Sequence, residues 1–176
     1  MNAVGAPNAS KKKWLVFYTK SRHEKKIEAY LVKRGYEVFL PMQKVLRQWS
    51  DRKKKVEVPL FNSYIFVNET EDKISTLLQT PGMAWNIRHN DKPAVLHHYE
   101  LEVIKRFLSS GLFIEHTSQQ NFKSGDAVEV IDGPLKGLRG TLVRTTEGEK
   151  FSVLLESIQQ NVTVTLDPIV LKHIIS

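Results

Sequence analysis

Two kinds of hydrophobic pattern divide the chain. Up to about residue 111, apolar runs at strand spacing alternate with segments that repeat every three to four residues; after residue 121 only short strand-like runs remain. Trp14–Thr19 is aromatic, apolar and partly β-branched, which predicts a buried strand. Ser21-Arg22-His23-Glu24 reads as a capping box, with Ser21 accepting the Glu24 N–H and Glu24 reaching back to Ser21. Ile27 and Leu31 then recur at helical spacing, Lys33 and Arg34 occupy a last turn that favours cations, and Gly35 supplies a left-handed cap. A helix over 22–34 is predicted.

Tyr36–Trp49 reads as a strand broken at Pro41, Asp51–Lys55 as a charged hairpin tip, and Val56–Val67 as a returning strand interrupted near Pro59 and Asn62. Thr70–Gln79 predicts a helix capped by Thr70, with Ile74, Leu77 and Leu78 on one face; Pro81-Gly82 ends it. A strand over Met83–His89, a turn at 90–93 and a helix over His98–Leu108 follow. Beyond a polar linker at 112–121, Val128, Val130, Leu142, Val153, Val162 and Val164 sit in short runs split by Gly, Asp and Glu turns, the pattern of a small all-β barrel. The expected architecture is α+β: a tail over 1–13, an antiparallel sheet flanked by helices over 14–111, and a small SH3-like barrel over 122–176.

Charge changes this picture. The 176 residues carry 26 Lys or Arg against 19 Asp or Glu, a net +7 with a pI near 9.5. Residues 11–55 hold 15 basic and 4 acidic side chains, a net +11, whereas residues 122–176 hold 6 and 7, a net −1. The N-terminal half therefore suits a polyanion, although the same residues also read as a solvated basic face. The absence of cysteine excludes a disulfide framework, a thiolate nucleophile and a Cys-based zinc site, and fits a reducing compartment. The apolar run Trp14–Tyr18 is too short for a signal-peptide core or a membrane span, so a soluble cytoplasmic protein without a membrane partner is expected. Gly133–Gly137 lacks the Gly-Lys-Ser/Thr ending of a phosphate loop, and His97-His98 has no ligand-spaced partner. Glu100 and Glu102 read as helix-surface charges. No enzyme, catalytic residue, metal or cofactor is expected.

The sharpest motif runs from Gly125-Asp126-Ala127-Val128 through Asp132-Gly133-Pro134 to Gly137-Leu138-Arg139-Gly140: a strand, a tight turn and spaced glycines where side chains would clash. It closely resembles a KOW motif. Upstream, Trp14–Lys20 precedes a helix bearing Glu24 and Lys26, then come Pro41, Pro59-Leu60-Phe61-Asn62-Ser63-Tyr64-Ile65-Phe66-Val67 and Thr80-Pro81-Gly82-Met83. This order resembles the NusG family of transcription elongation factors, with an NGN domain followed by a KOW domain, over residues 14–175. Asn62-Ser63 stands where general members carry Pro-Gly, and Leu46–Phe61 looks like the UpxY-type paralogs, operon-specific antiterminators of surface-polysaccharide operons; RfaH is a more distant relative.

That resemblance implies several roles. Tyr18, Phe61, Tyr64 and Phe66 match positions that grip the clamp helices of RNA polymerase; Ser75 and Thr76 match a region that touches its gate loop. Lys20, Arg22, His23, Tyr30, Lys33 and Arg34 would face the non-template DNA strand, and the Arg52–Lys55 tip upstream DNA. In the barrel, Ile158, Gln159 and Gln160 fall in the segment that recruits a small-subunit ribosomal protein or Rho, where the family's Phe-Gly pair is replaced. The implied protein is a monomeric antitermination factor that suppresses pausing. A general NusG-type factor cooperating with Rho, or a KOW-containing ribosomal RNA-binding protein, are the alternatives.

Overall fold

In the computed structural model, which describes residues 10–118 and 125–175, the first apolar run forms β1 (Lys13–Thr19) near the middle of an antiparallel sheet. The remaining elements of this unit are α1 (Glu24–Lys33), β2 (Glu37–Phe39) and, after an excursion of the chain, β5 (Tyr64–Glu69), α2 (Ile74–Leu78), β6 (Met83–Asn86), the two-residue strands β7 (Arg88–His89) and β8 (Lys92–Pro93), and β9 (Val95–Leu96). The strand order is β2-β5-β1-β6, with β9 also paired to β1. The unit comprises the described residues up to Leu40 together with Asn62–Leu96.

Period-two alternation gives this sheet two dissimilar faces. Leu15, Phe17, Ile65 and Val67 point to one face and form a core with Ile27 and Leu31 of α1, Leu77 of α2 and Met83. Burying each such side chain contributes about 1.5–3 kcal/mol. The opposite face carries Trp14, Val16 and Tyr18, aligned with Asn68, Phe66 and Tyr64.

Two local expectations are corrected. The Ser21–Glu24 capping box does not form: α1 starts at Glu24, with His23 as N-cap and no side-chain cap bond, because Arg22 takes a left-handed φ of 63° and turns the chain between Ser21 and the helix. The helix expected over Thr70–Gln79 is a short 3-10 turn over Glu71–Lys73 followed by α2, and Thr70 makes no side-chain cap bond.

The second unit comprises Pro41–Phe61 and the described residues from His97 onward. Pro41–Phe61 forms a two-stranded ribbon of β3 (Met42–Gln48) and β4 (Lys53–Pro59). Then come α3 (His98–Ser109), β10 (Glu115–Ser118), β11 (Asp126–Val130), β12 (Arg139–Thr145), β13 (Gly148–Leu155), β14 (Gln160–Val164) and β15 (Leu171–His173). The last six strands make one antiparallel sheet in the order β10-β14-β13-β12-β11-β15. A Cβ at Gly140 would collide with the Ser152 carbonyl and the Phe151 ring, so only glycine lets β12 approach β13 this closely.

The expected linker at 112–121 is built partly as structure. Glu115–Ser118 adds to the β14 edge, where the backbone of β14 offers hydrogen bonds that a short polar segment satisfies. Lys150 fastens this strand, donating to Glu115 at 2.7 Å and Glu147 at 2.8 Å. Hydrogen bonds from Lys150 to these carboxylates hold its ammonium above the usual lysine range. Residues 119–121 of the expected linker, and residues 1–9 of the expected tail, lie outside the described residues; Lys13 already belongs to β1.

The compact units do not divide at the expected boundary near 111, because α3 groups with the barrel. Phe107 lies 6.3 Å from Phe151 between ring centroids, and Arg106 donates to the carbonyls of Pro134 at 3.2 Å and Lys136 at 2.7 Å. Glu100, expected on the surface, is fully buried. Its Oε2 accepts the His97 N–H at 2.8 Å, and its Oε1 accepts the Ser157 N–H at 3.1 Å. A buried carboxylate is tolerated because both oxygens are engaged. Glu100→Ala strands two backbone donors, and we expect a loss of about 3 kcal/mol in urea unfolding, with Glu100→Gln recovering part of it.

Candidate functional site

Three strands bring three rings together on the face of the first sheet opposite its helices. Tyr18 of β1 pairs in register with Tyr64 of β5 on one side and Trp85 of β6 on the other. The Tyr18 and Trp85 rings stack at 4.5 Å with an interplanar angle of 15°, and Tyr18 meets Tyr64 edge-on at 5.5 Å. Aromatic pairs of this geometry add about 0.5–1.5 kcal/mol beyond burial. Trp85 is 54% exposed, and Tyr18 and Tyr64 are half-buried. A row of rings presented at a surface has the composition that suits a protein-docking anchor.

Phe66 and Phe61 depart from the expected patch. Phe66 faces the same side but is fully buried, 6.0 Å from Phe39 and aligned with it across β2 and β5. It is packed within the unit rather than projecting from it. Phe61 is 1% exposed, belongs to the other unit, and packs edge-on against His116 at 5.7 Å. Sequence reasoning missed Trp85. Alternation within Met83–Asn86 was its only signal, and the cross-strand register with Tyr18 reveals it.

The turn before Tyr64 is held by α1. Ser63 has a left-handed φ of 66°; its N–H donates to Glu24 Oε1 at 2.8 Å and its carbonyl accepts the Thr19 N–H at 2.8 Å. Glu24 is thus buried as a turn brace instead of a helix cap.

The basic positions form two groups at opposite ends of α1, about 15 Å apart along a ten-residue helix. Lys20 and Arg22 are exposed at the N-terminal end, and His23 is half-buried with Nδ1 3.0 Å from the Ser21 carbonyl. At the other end the Arg34 guanidinium lies 3.4 Å from the Tyr30 ring centroid and donates to the Tyr30 carbonyl at 3.3 Å, with Lys33 exposed beside it. Tyr30 and Arg34 line a cleft of about 210 Å³ with Tyr36, Thr76, Gln79 and Thr80. Thr76, expected to serve a separate contact, joins this group; Ser75 is exposed on α2 and does not line the cleft. A stacked guanidinium and phenol beside hydroxyl and amide groups suits an unstacked base.

In the barrel, Ile158 is 3% exposed and so is withdrawn from the expected partner surface, while Gln159 is exposed and Gln160 half-buried. The sequence Glu156-Ser157-Ile158 closes a 3-10 turn that turns Ile158 inward, and Gln159 leaves it with a left-handed φ of 53°, its side chain donating to the Glu156 carbonyl at 2.8 Å.

A family model described as "Transcription termination factor nusG" matches residues 12–105. The chain belongs to the NusG family. Curated relatives from Streptococcus pyogenes serotypes M1 and M18, each named transcription termination/antitermination protein NusG, are 28% identical over 158 residues, covering 82% of this chain and 86% of theirs. A solved structure described as "Domain interaction in Thermotoga maritima NusG" shares the fold, with a TM-score of 0.57 and 21% identity, over 93% of this chain and 98% of that one. The chain is thus a NusG-like transcription termination/antitermination factor of α+β architecture, and no helix of its described residues is long and apolar enough to cross a membrane.

Ser63, standing where the resemblance sets the Gly of Pro-Gly, and Gln159, within the stretch where the Phe-Gly pair is replaced, both have a left-handed backbone. L-residues adopt that conformation at a cost of about 1–2 kcal/mol. Ser63→Gly is therefore expected to raise unfolding stability by about 0.5–1 kcal/mol, because relief of strain outweighs the added chain entropy. Glu24→Ala should lower it by about 1–3 kcal/mol by orphaning the Ser63 N–H. Denaturant titration of both variants checks this pair.

Proposed function

We propose that this NusG-family chain binds the clamp helices of RNA polymerase and suppresses pausing and termination on specific operons, in the manner of factors serving surface-polysaccharide genes. The observation that carries this reading is the Trp85–Tyr18–Tyr64 row: stacked, preorganised and partly exposed. A ligand that binds only the closed clamp shifts its equilibrium toward closure, so no covalent chemistry and no cofactor are required. Lys20, Arg22 and His23 at one end of α1, and Tyr30, Lys33 and Arg34 at the other, meet the non-template strand, the second group seating a base in the Tyr30–Arg34 cleft. Ser75 and Thr76 extend the contact toward the polymerase gate loop. The barrel, which is neutral to slightly acidic, recruits protein rather than nucleic acid, with exposed Gln159 and half-buried Gln160 as its contacts toward a ribosomal protein. The protein works in the cytoplasm as a monomer.

The operon-specific reading is supported by the loss of both family glycines and of the Phe beside one of them. The relatives' name, which covers termination as well as antitermination, favours a second reading: a general factor that cooperates with Rho. Termination assays with and without Rho separate the two, since only the general factor increases Rho-dependent release.

Tyr64→Ala and Trp85→Ala should each weaken binding to core polymerase by roughly thirtyfold, about 2 kcal/mol, without unfolding the protein. Phe66→Ala should instead act through stability, costing about 3–5 kcal/mol. Titration of labelled protein with core enzyme, alongside thermal melts, distinguishes the cases; unchanged affinity in folded Tyr64→Ala protein removes the interface.

For the strand, elongation complexes with cognate and scrambled non-template sequences provide the comparison. Lys33→Gln should weaken both alike and flatten the salt dependence by about 0.7 in log–log slope. Arg34→Gln should narrow the gap between them, because it dismantles the stacked cleft.

A further inference from the structure

The second unit holds a cleft of about 750 Å³ beside β10. That volume falls in the range of small-molecule sites, about 300–1,000 Å³. None of its lining residues belongs to the Gln159–Gln160 turn. Strand alternation decides which side chains line it. Glu115 of β10 pairs with Thr163 of β14, Thr163 with Ser152 of β13, and Lys150 of β13 with Val143 of β12, so these residues and Thr117 share one face. Leu142, Phe151, Val162 and Val164 take the other face and are buried. Phe113, Ile114 and Val143 are the apolar lining of the cleft, and the Phe113 ring is 63% exposed.

The cations of the cleft already have their carboxylates. Lys150 donates to Glu115 at 2.7 Å and to Glu147 at 2.8 Å, and Arg144 Nε donates to Glu149 at 3.1 Å. Two cations thus stand against three carboxylates. An anion would meet an excess of acid, and a cation would meet an ammonium and a guanidinium already in place. Hydrogen-bonding capacity, by contrast, is left over. The Lys150 ammonium has three N–H groups and spends two. Arg144 is bonded through Nε alone among the described residues, which leaves both Nη groups. Asn161, opposite Thr117 on the same face and 2% exposed, has an Nδ2 without a partner among the described residues. Buried donors left unpaired are costly, so this wall is short of acceptors.

We propose that the cleft binds a neutral saccharide of one or two rings. Such a molecule brings no charge into a site whose cations are already paired. Its oxygens supply the acceptors that Lys150 and Arg144 lack, and one seated at Thr117 also lies over the Asn161 amide. Its hydroxyl hydrogens meet the second oxygen of Glu115. The hydroxyls of Thr117 and Thr146 both give and accept, as those of a sugar do. The C–H face of the ring packs on Phe113 and Val143. A nucleobase carries no hydroxyls at its rim to match this wall. The inference concerns the free protein and does not rest on polymerase binding.

The test is saturation-transfer NMR on the full chain, followed by titration. Glucose, galactose, N-acetylglucosamine and sucrose are the neutral probes, with glucuronate, protonated glucosamine and adenosine alongside. At least one neutral sugar should bind with a millimolar dissociation constant, and both charged sugars should bind more weakly. Phe113→Ala should weaken that binding about fivefold, and Thr117→Val about threefold, with melting curves close to the parent's. Lys172→Gln, on β15 at the far end of the strand order, should bind as the parent does. Absence of transfer to every neutral sugar overturns the proposal. So does tighter binding of glucuronate, glucosamine or adenosine, or parental affinity in folded Phe113→Ala protein.

Discussion

The pairing of β1 with β5 is the constraint on which the first unit depends. Its register aligns Val16 with Phe66 and Tyr18 with Tyr64, and by alternation sends Leu15, Phe17, Ile65 and Val67 to the helices. A slip of one residue would exchange these sets, placing the aromatic row against the helices and Leu15, Phe17, Ile65 and Val67 on the opposite face. The large apolar residues on the helix side fix the register, and the opposite face inherits its geometry from that choice. Trp85 then needs only one further pairing, β6 to β1, to stack on Tyr18.

The bracing around Tyr64 follows the same logic. Its turn needs a left-handed residue, and the sequence supplies serine rather than glycine. The strain is held by Glu24 at one end and the Thr19 amide at the other. Both partners belong to elements already fixed by the core, so the turn and the ring that follows it are set by α1 and β1 together. Serine at this position carries the left-handed backbone that its turn requires.

Much of this was legible in the chain. The β1 run, the Ile27–Leu31 helix, the Leu101–Ile104 helix and the glycine-punctuated barrel all carry local periodicity strong enough to identify them. Glu24, Glu100, Phe61 and Ile158 did not read correctly, and for one reason: each is defined by a partner distant in sequence. Glu24 looks like a cap until Ser63, 39 residues away, is brought to it. Glu100 looks like a surface charge until the Ser157 amide reaches it. Phe61 and Ile158 have the composition of exposed anchors and are turned inward by packing that no local pattern encodes. Glu115–Ser118, polar and short, becomes a strand only because β14 has an edge to fill.

Glu100 also binds two parts of the chain together. A single carboxylate serves the first turn of α3 and a barrel turn 57 residues further on, with one oxygen for each donor. The cap of the twelve-residue helix closes locally, three residues apart, whereas the barrel turn is held by a long-range bond to the same side chain. The dependence therefore runs one way: fraying the first turn of α3 displaces the acceptor of the Ser157 N–H, while opening the barrel turn leaves the helix cap in place.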